Sequence, residues 1–411
     1  MNMFDDQEVK EITKALKTKA AGGEYIVSDL VMEHHGKTLQ FVDLVMEGGG
    51  TLGIALIGYI YALEQAGVRF LSVGGSSVGA IATLLLASLG KRTEEKGEKL
   101  ANIITDMNMG SFVDGSFFPA TLSRLLGSGK ASSRKLLIVI LGILSSRSIF
   151  QKLGLNTGDK LLEWLMGCLA EANIHTLKDL REVAFEVPEN LVHRHGRSGF
   201  VKPSPSLKLI AADITTSTKA NLPEMSRLYW EDPDSVNPAH FARASVSIPG
   251  FFQPMVVHGV RDISGAPETW KKLCSFEKVI PRKITFSDGG LLSNFPISLF
   301  HQPRVPDAPT FGARLGTPSR SVMEITTVGG YLTGMFNAMS HYSDYEFIHK
   351  NPDYRRLVAY IPTTGHNWLN FNMSDAEKLA LFKNGMNTAY EFLEKFDWEG
   401  YKKVRSELLA M

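Results

Sequence analysis

Polar and apolar positions along the chain fall into two periods that follow one another repeatedly. Residues 7 to 20 carry apolar side chains at helical spacing among charged ones, which predicts an amphipathic helix. The run LQFVDLVM at 39 to 46 is dense in β-branched and aromatic side chains and predicts a strand. A glycine-rich loop, a helix from Ile54 to Gln65, a strand VRFLSVG at 68 to 74 and a helix from about Val78 to Leu89 follow. Strand, helix, strand, helix in this order is the unit from which parallel sheets are built. Further short β-rich runs occur at 207 to 214, 283 to 288 and 355 to 361, whereas 110 to 200 is richer in helix and loop. A long amphipathic helix is expected from Ser374 to Phe396, with Ser374 and Glu377 spaced as a capping box. GRSGFVKPSPS, at 196 to 206, reads as a linker, and no internal repeat or low-complexity tract is present.

The loop between the first strand and helix, EGGGTLG at 47 to 53, supports two chemistries. Gly48-x-Gly50-x-x-Gly53 has the spacing of a dinucleotide-binding fingerprint, while three adjacent glycines also suit a cradle of N–H donors. Dinucleotide binding requires an acidic residue about 20 positions on, at the end of the second strand. That strand ends in Gly74 and Gly75, and the nearest acid, Glu64, belongs to the preceding helix. What stands there is Gly75-Ser76-Ser77-Val78-Gly79, a G-x-S-x-G elbow between strand and helix. Gly75 and Gly79 remove side chains that would collide in so sharp a turn, exposing the Ser77 hydroxyl above the sheet. The following helix aims its N-terminal N–H groups at the reacting oxygen. Parallel neighbours bring both loops to one edge of the sheet, so Gly48, Gly49, Gly50 and Gly53 are expected to form an oxyanion hole beside Ser77. The loop is therefore read as serving acyl chemistry.

Charge and cysteine content narrow the setting. With 44 basic and 43 acidic residues the net charge is +1, so no nucleic-acid partner is expected. Two cysteines, Cys168 and Cys274, show no metal-cluster spacing and fit a reducing compartment. The N-terminus has acids where a signal peptide carries its basic start, and Leu136 to Leu144, the longest uninterrupted apolar run, falls far short of the ~20 residues that span a bilayer. A soluble cytoplasmic protein is expected. Basic residues Arg134, Lys135 and Arg147 bracket that run, so the segment 132 to 148 is either a buried helix or a peripheral membrane contact.

A serine nucleophile needs a base, and SDGGLLSNFPI at 287 to 297 offers Asp288 at a strand end before two glycines. With this third piece the chain resembles the patatin-like phospholipase family over roughly residues 39 to 300. Ser77 matches the family's nucleophile, Asp288 the aspartate of its D-G-G motif, and Gly48 to Gly53 its glycine-rich oxyanion segment. ARASVSIPGFF at 242 to 252, SNFP after the D-G-G motif, GLNTGDKLLEWL at 154 to 165 and LKLIAADITT at 207 to 216 are similar too. The resemblance implies a three-layer α/β/α fold with a mainly parallel central sheet and a helical insertion at about 110 to 200. It also implies a Ser77–Asp288 dyad, an acyl-enzyme, no metal or other cofactor, and a phospholipid or lysophospholipid substrate. On this reading residues 1 to 37 form an N-terminal arm, 38 to 396 the acyl hydrolase domain and 397 to 411 a C-terminal tail. The chain departs from the family at Leu52, where a basic residue is usual and leucine supplies no cation to the loop.

Three alternatives stay open. A Ser-His-Asp esterase or thioesterase would draw its base from His301, His341, His349 or His366, which follow Asp288 in the order of α/β hydrolases. A dinucleotide-binding protein would use the glycines alone. A catalytically inert lipid-binding module would keep the fold without turnover. His193 and His195, with no acidic or cysteine partner at metal spacing, are expected to be solvated loop histidines.

Overall fold

The computed structural model describes residues 2–113, 152–318, 322 and 324–410. The elements that position the site are α1 (Gln7–Ala21), β1 (Leu30–His34), β2 (Lys37–Met46), α2 (Gly53–Gln65), β3 (Val68–Ser76), α3 (Val78–Ser88) and α4 (Gly97–Asp106). Then come α5 (Asp159–Glu171), β4 (Val192–His193), β5 (Leu207–Asp213), β6 (Thr218–Leu222), α6 (Ala239–Ser245), β7 (Met255–His258) and β8 (Lys283–Ser287). The chain closes with β9 (Thr310–Leu315), α7 (Val328–Lys350), β10 (Val358–Ile361), α8 (Asp375–Lys395) and α9 (Trp398–Leu409).

Among the described residues ten strands form one sheet, ordered β10-β9-β2-β3-β5-β8-β7, with β1 and β6 pairing to β2 and β5 and β4 pairing to β1. The five strands from β10 to β5 are parallel, as the alternating strand and helix pattern predicts, and β8 and β7 extend the edge antiparallel. Alternate residues of β2 supply both faces: Val42, Leu44 and Met46 join the main core, and Val45 joins a second cluster with Phe295, Ile297, Trp398 and Tyr401. Helices α2, α3 and α8 pack into the first core, while α9 and the end of α7 cover the second. The result is a three-layer α/β/α fold.

α2 and α3 are apolar nearly all round and buried along their length save for Val78 at the head of α3, as befits helices sandwiched between sheet and outer helices. Gly58 and Gly385 let α2 and α8 touch: a Cβ on either would strike the partner helix's backbone. α8 is capped as expected, by reciprocal bonds between Ser374 and Glu377. The stretch read as an N-terminal arm carries α1 and β1, and the stretch read as a tail carries α9, whose Trp398, Tyr401 and Arg405 are buried. The basic-flanked apolar run at 132 to 148 lies outside the described residues. Among the described residues no helix is long and apolar enough to cross a membrane.

Candidate active site

Register sets the site. Met46 of β2 lies opposite Gly75 of β3, so the loops that follow these strands leave the sheet side by side. Ser76 lies opposite Ile210 of β5, and Ser287 at the end of β8 is opposite Ala212. Continuing that register carries Asp288 and Gly289 back toward Ile210, beside the elbow. A Cβ on Gly289 would collide with the Ile210 carbonyl and sit 2.7 Å from Ser76 Oγ, so the first glycine of D-G-G is what permits this approach.

Ser77 holds φ 52° and ψ −125°, a conformation that side-chain-bearing residues rarely adopt. Its neighbours show how the turn is held. A Cβ on Gly75 would stand 2.5 Å from the Gly79 carbonyl, and one on Gly79 would stand 2.5 Å from that of Met46. The Ser77 N–H donates to Ser245 Oγ at 2.9 Å, and Ser245 in turn donates to the Ile210 carbonyl. The Ser77 hydroxyl donates to Asp288 Oδ2 at 2.6 Å. Gly290 N–H holds Asp288 Oδ1 at 2.8 Å, and the Asp288 N–H donates to the Ser247 carbonyl at 2.9 Å. Both Ser245 and Ser247 come from the ARASVSIP segment, which thus braces Ser77 and Asp288 together. Asp288 is fully buried, and desolvation pushes its carboxyl up to about 6 despite the bonds from Ser77 and Gly290.

The glycines divide. Gly48 N–H is spent on the Asn294 carbonyl at 2.9 Å, and Gly53 N–H on the Gly50 carbonyl. Among the described residues the N–H groups of Gly49, Gly50 and Val78 donate no hydrogen bond. Of the glycines expected to donate, Gly48 and Gly53 thus have their N–H groups occupied, while those of Gly49, Gly50 and the residue after the elbow serine are available. Gly48 still has a steric role, since a Cβ there would run into the Asn294 side chain and approach Ser77 Cβ to 3.0 Å. Gly50 has φ +55°, and a side chain there would strike the Trp368 carbonyl.

What holds this loop was not visible in any motif. Glu47, just before the glycines, accepts from Arg314 Nε at 3.1 Å and from Leu315 N–H at 2.6 Å, both at the end of β9. Arg314 also donates to Tyr345 Oη at 2.9 Å and lies over the Phe295, Tyr345 and Tyr360 rings. From the other side the Trp368 carbonyl accepts from Thr51 N–H at 2.8 Å and Thr51 Oγ1 at 3.1 Å. The loop is thus stiffened by contacts from outside itself, with Leu52 buried where the family pattern carries a basic residue.

Beside Ser77 opens an apolar cavity of about 680 Å3, its mouth included, lined by Ile54, Ile81, Met109, Leu161, Trp164 and Phe371. Its apolar lining is in character that of a small-molecule pocket. Phe371 is stacked on Phe251, ring centroids 4.8 Å apart and 5° from parallel.

Among the described residues no histidine is hydrogen-bonded to Ser77 or Asp288. His301 pairs with Tyr354 Oη at 2.9 Å and faces Arg405. His341 is pushed down to about 4 by burial and the nearby Arg314. His349 is exposed. The expectation of solvated loop histidines fails for His193, whose largely buried side chain is set against Asp29 and Asp307, far away in sequence, at the end of the sheet opposite Ser77, and holds for His195, which is exposed on the turn that follows although its Nε2 lies 3.5 Å from Asp29.

A family model described as "Patatin-like phospholipase" matches residues 44–301, more than half of the chain. The chain belongs to the patatin-like phospholipase family. Membership supports lipid acyl hydrolysis as its chemistry. The Bacillus subtilis (strain 168) protein YqhO is 28% identical over 365 residues, 87% of this patatin-like chain and 100% of YqhO. Among solved structures, VipD from Legionella pneumophila is similar with a TM-score of 0.45 and 17% identity, covering 90% of this chain and 70% of VipD. The type III effector protein ExoU follows with a TM-score of 0.34 and 15% identity over 86% of this chain, which spans about half (53%) of ExoU.

Proposed function

We propose that this patatin-like chain cleaves fatty-acyl esters of phospholipids or lysophospholipids in two steps, through an acyl-Ser77 intermediate with Asp288 as general base. The observation that carries the reading is the 2.6 Å bond between Ser77 Oγ and a buried Asp288 at the mouth of an apolar cavity. Asp288 takes the hydroxyl proton as Ser77 attacks the ester carbonyl, and the cavity receives the acyl chain. The developing oxyanion is held by the N–H groups of Gly49, Gly50 and Val78. The alcohol leaves with the proton from Asp288, which then deprotonates the water that frees the fatty acid. A carboxyl of ordinary pKa is a weak base for a serine; burial that lifts Asp288 to about 6 brings it nearer the working pH.

The substrate is placed at the membrane surface by its own insolubility, and the basic-flanked run at 132 to 148 is the segment offered for peripheral contact. The test is fatty-acid release from phosphatidylglycerol vesicles and from a monomeric lysophospholipid. Wild-type protein should release fatty acid from at least one of them, and Ser77→Ala should release none from either. Equal release by the two proteins would refute the reading.

A further inference from the structure

The amino-terminal end of the sheet holds a cluster that the acyl chemistry leaves unused. Asp29 stands just before β1 and is 4% exposed. Its Oδ2 accepts from Lys402 Nζ at 2.8 Å, but among the described residues its buried Oδ1 has no hydrogen-bond partner. A carboxylate oxygen left without a donor in the interior is costly and calls for an explanation. That oxygen faces His195 Nε2 at 3.5 Å, too long for a sound hydrogen bond. Two ligands of a tetrahedral ion, each at ~2.0–2.1 Å, stand roughly 3.3 Å apart, so the separation suits a shared metal better than a shared proton. Glu399, in the first turn of α9, completes the group: one ligand atom from each of Asp29, His195 and Glu399 lies within 4.8 Å of the others.

We infer that Asp29, His195 and Glu399 form a binding site for a divalent transition metal of the zinc type. One imidazole nitrogen and two carboxylate oxygens are a ligand set zinc accepts, with water in the fourth position. The surrounding groups act as an outer shell. Lys402 Nζ bridges Asp29 Oδ2 and Glu399 Oε1, 2.8 Å from each, holding the two carboxylates beside one another and leaving Asp29 Oδ1 toward His195. That ammonium satisfies one oxygen of Asp29 and leaves the other bare, so it does not substitute for the ion. His193 is a positioning residue: its Nδ1 accepts the His195 N–H at 3.3 Å, and its Nε2 lies 3.6 Å from Asp307 Oδ1, which is itself held by Arg197 at 2.8 Å. The metal would tie the start of β1, the turn after β4 and α9, three segments distant in sequence. Its role is to fasten the last helix to the sheet, away from Ser77.

The 411-residue chain, stripped with a chelator and titrated with zinc chloride, should bind one zinc per chain by calorimetry and by elemental analysis after dialysis. Zinc should also raise its melting temperature. The His195 side chain is 61% exposed, so His195→Ala should fold normally. It should bind zinc at least tenfold more weakly and lose the thermal shift, with turnover of a short-chain ester unchanged. His175→Ala, an exposed histidine elsewhere, should match wild type. Absence of stoichiometric zinc uptake by wild type, or wild-type affinity in His195→Ala, would overturn the assignment.

Discussion

The two halves of the candidate active site are encoded differently. The half proposed to react, Gly49, Gly50, Ser77 and Asp288, lies inside residues 44–301, and each member sits in a short pattern with its own steric reason. The half that holds the glycine loop, Arg314, Leu315 and Trp368, lies outside that span and sits in no pattern at all. Chemistry at a turn is local, because a tight backbone needs glycine at fixed offsets. Support is tertiary, because any carbonyl or guanidinium the fold brings near can provide it. Damage to the first half should therefore remove the reaction, whereas damage to the second should loosen the protein and only then slow it.

The largest effect expected is at the pair itself. Ser77→Ala and Asp288→Asn should each lower kcat on a soluble ester by ~10³–10⁶-fold, and the double variant should be no worse than the poorer single one, because the two act as a unit. Additive losses, measured by initial rates, would show that they do not. Gly50→Val comes next: its side chain would strike the Trp368 carbonyl and turn a donor aside, and losing one such donor typically costs ~10²–10³ in kcat.

Arg314→Met tests the supporting half. It leaves the buried Glu47 carboxylate without its counter-charge, and denaturant unfolding should show a loss toward the lower end of ~3–5 kcal/mol, since Glu47 can escape by taking up a proton. Adding Glu47→Gln should recover part of that loss. A variant as stable as wild type but catalytically dead would place Arg314 in the chemistry instead and break the comparison.

The smallest effect is a pH dependence in which the two roles of Asp288 oppose each other. As a base it must be ionised, so kcat/KM should rise through about pH 6 and level off above. For stability the sign is reversed. A carboxyl raised in the folded state contributes fully below its unfolded pKa of ~3.9, and that contribution is lost as pH rises through about 6. Asp288→Asn should therefore be more stable than wild type near pH 7 to 8, by on the order of 1–3 kcal/mol, with the gain vanishing near pH 4. A stability difference that does not change between those pH values would count against a buried charged Asp288.

Legibility in the sequence follows the same division. The parallel centre of the sheet could be read because strand and helix periods alternate cleanly from residue 39 to 89, and α8 because its capping box marks where it begins. The antiparallel edge formed by β8 and β7 could not, since pairing direction leaves no trace in a five-residue run. Ser77, Asp288 and the glycines were legible as motifs. That Gly48 spends its N–H on Asn294 was not, because it depends on a carbonyl more than 240 residues away. The acids around His193 and His195 were hidden for the same reason: Asp29, Asp307 and Glu399 reach the pair only through β1, the entry to β9 and α9.

The central claim is that Ser77, activated by Asp288, is the nucleophile. Incubation with a fluorophosphonate followed by peptide mass spectrometry tests it most directly. At pH 8 the account predicts one adduct, on Ser77 of the wild-type protein, with labelling at least ~10²-fold slower in Asp288→Asn. An adduct on another residue, or equal labelling of Ser77 in the two proteins, would contradict it.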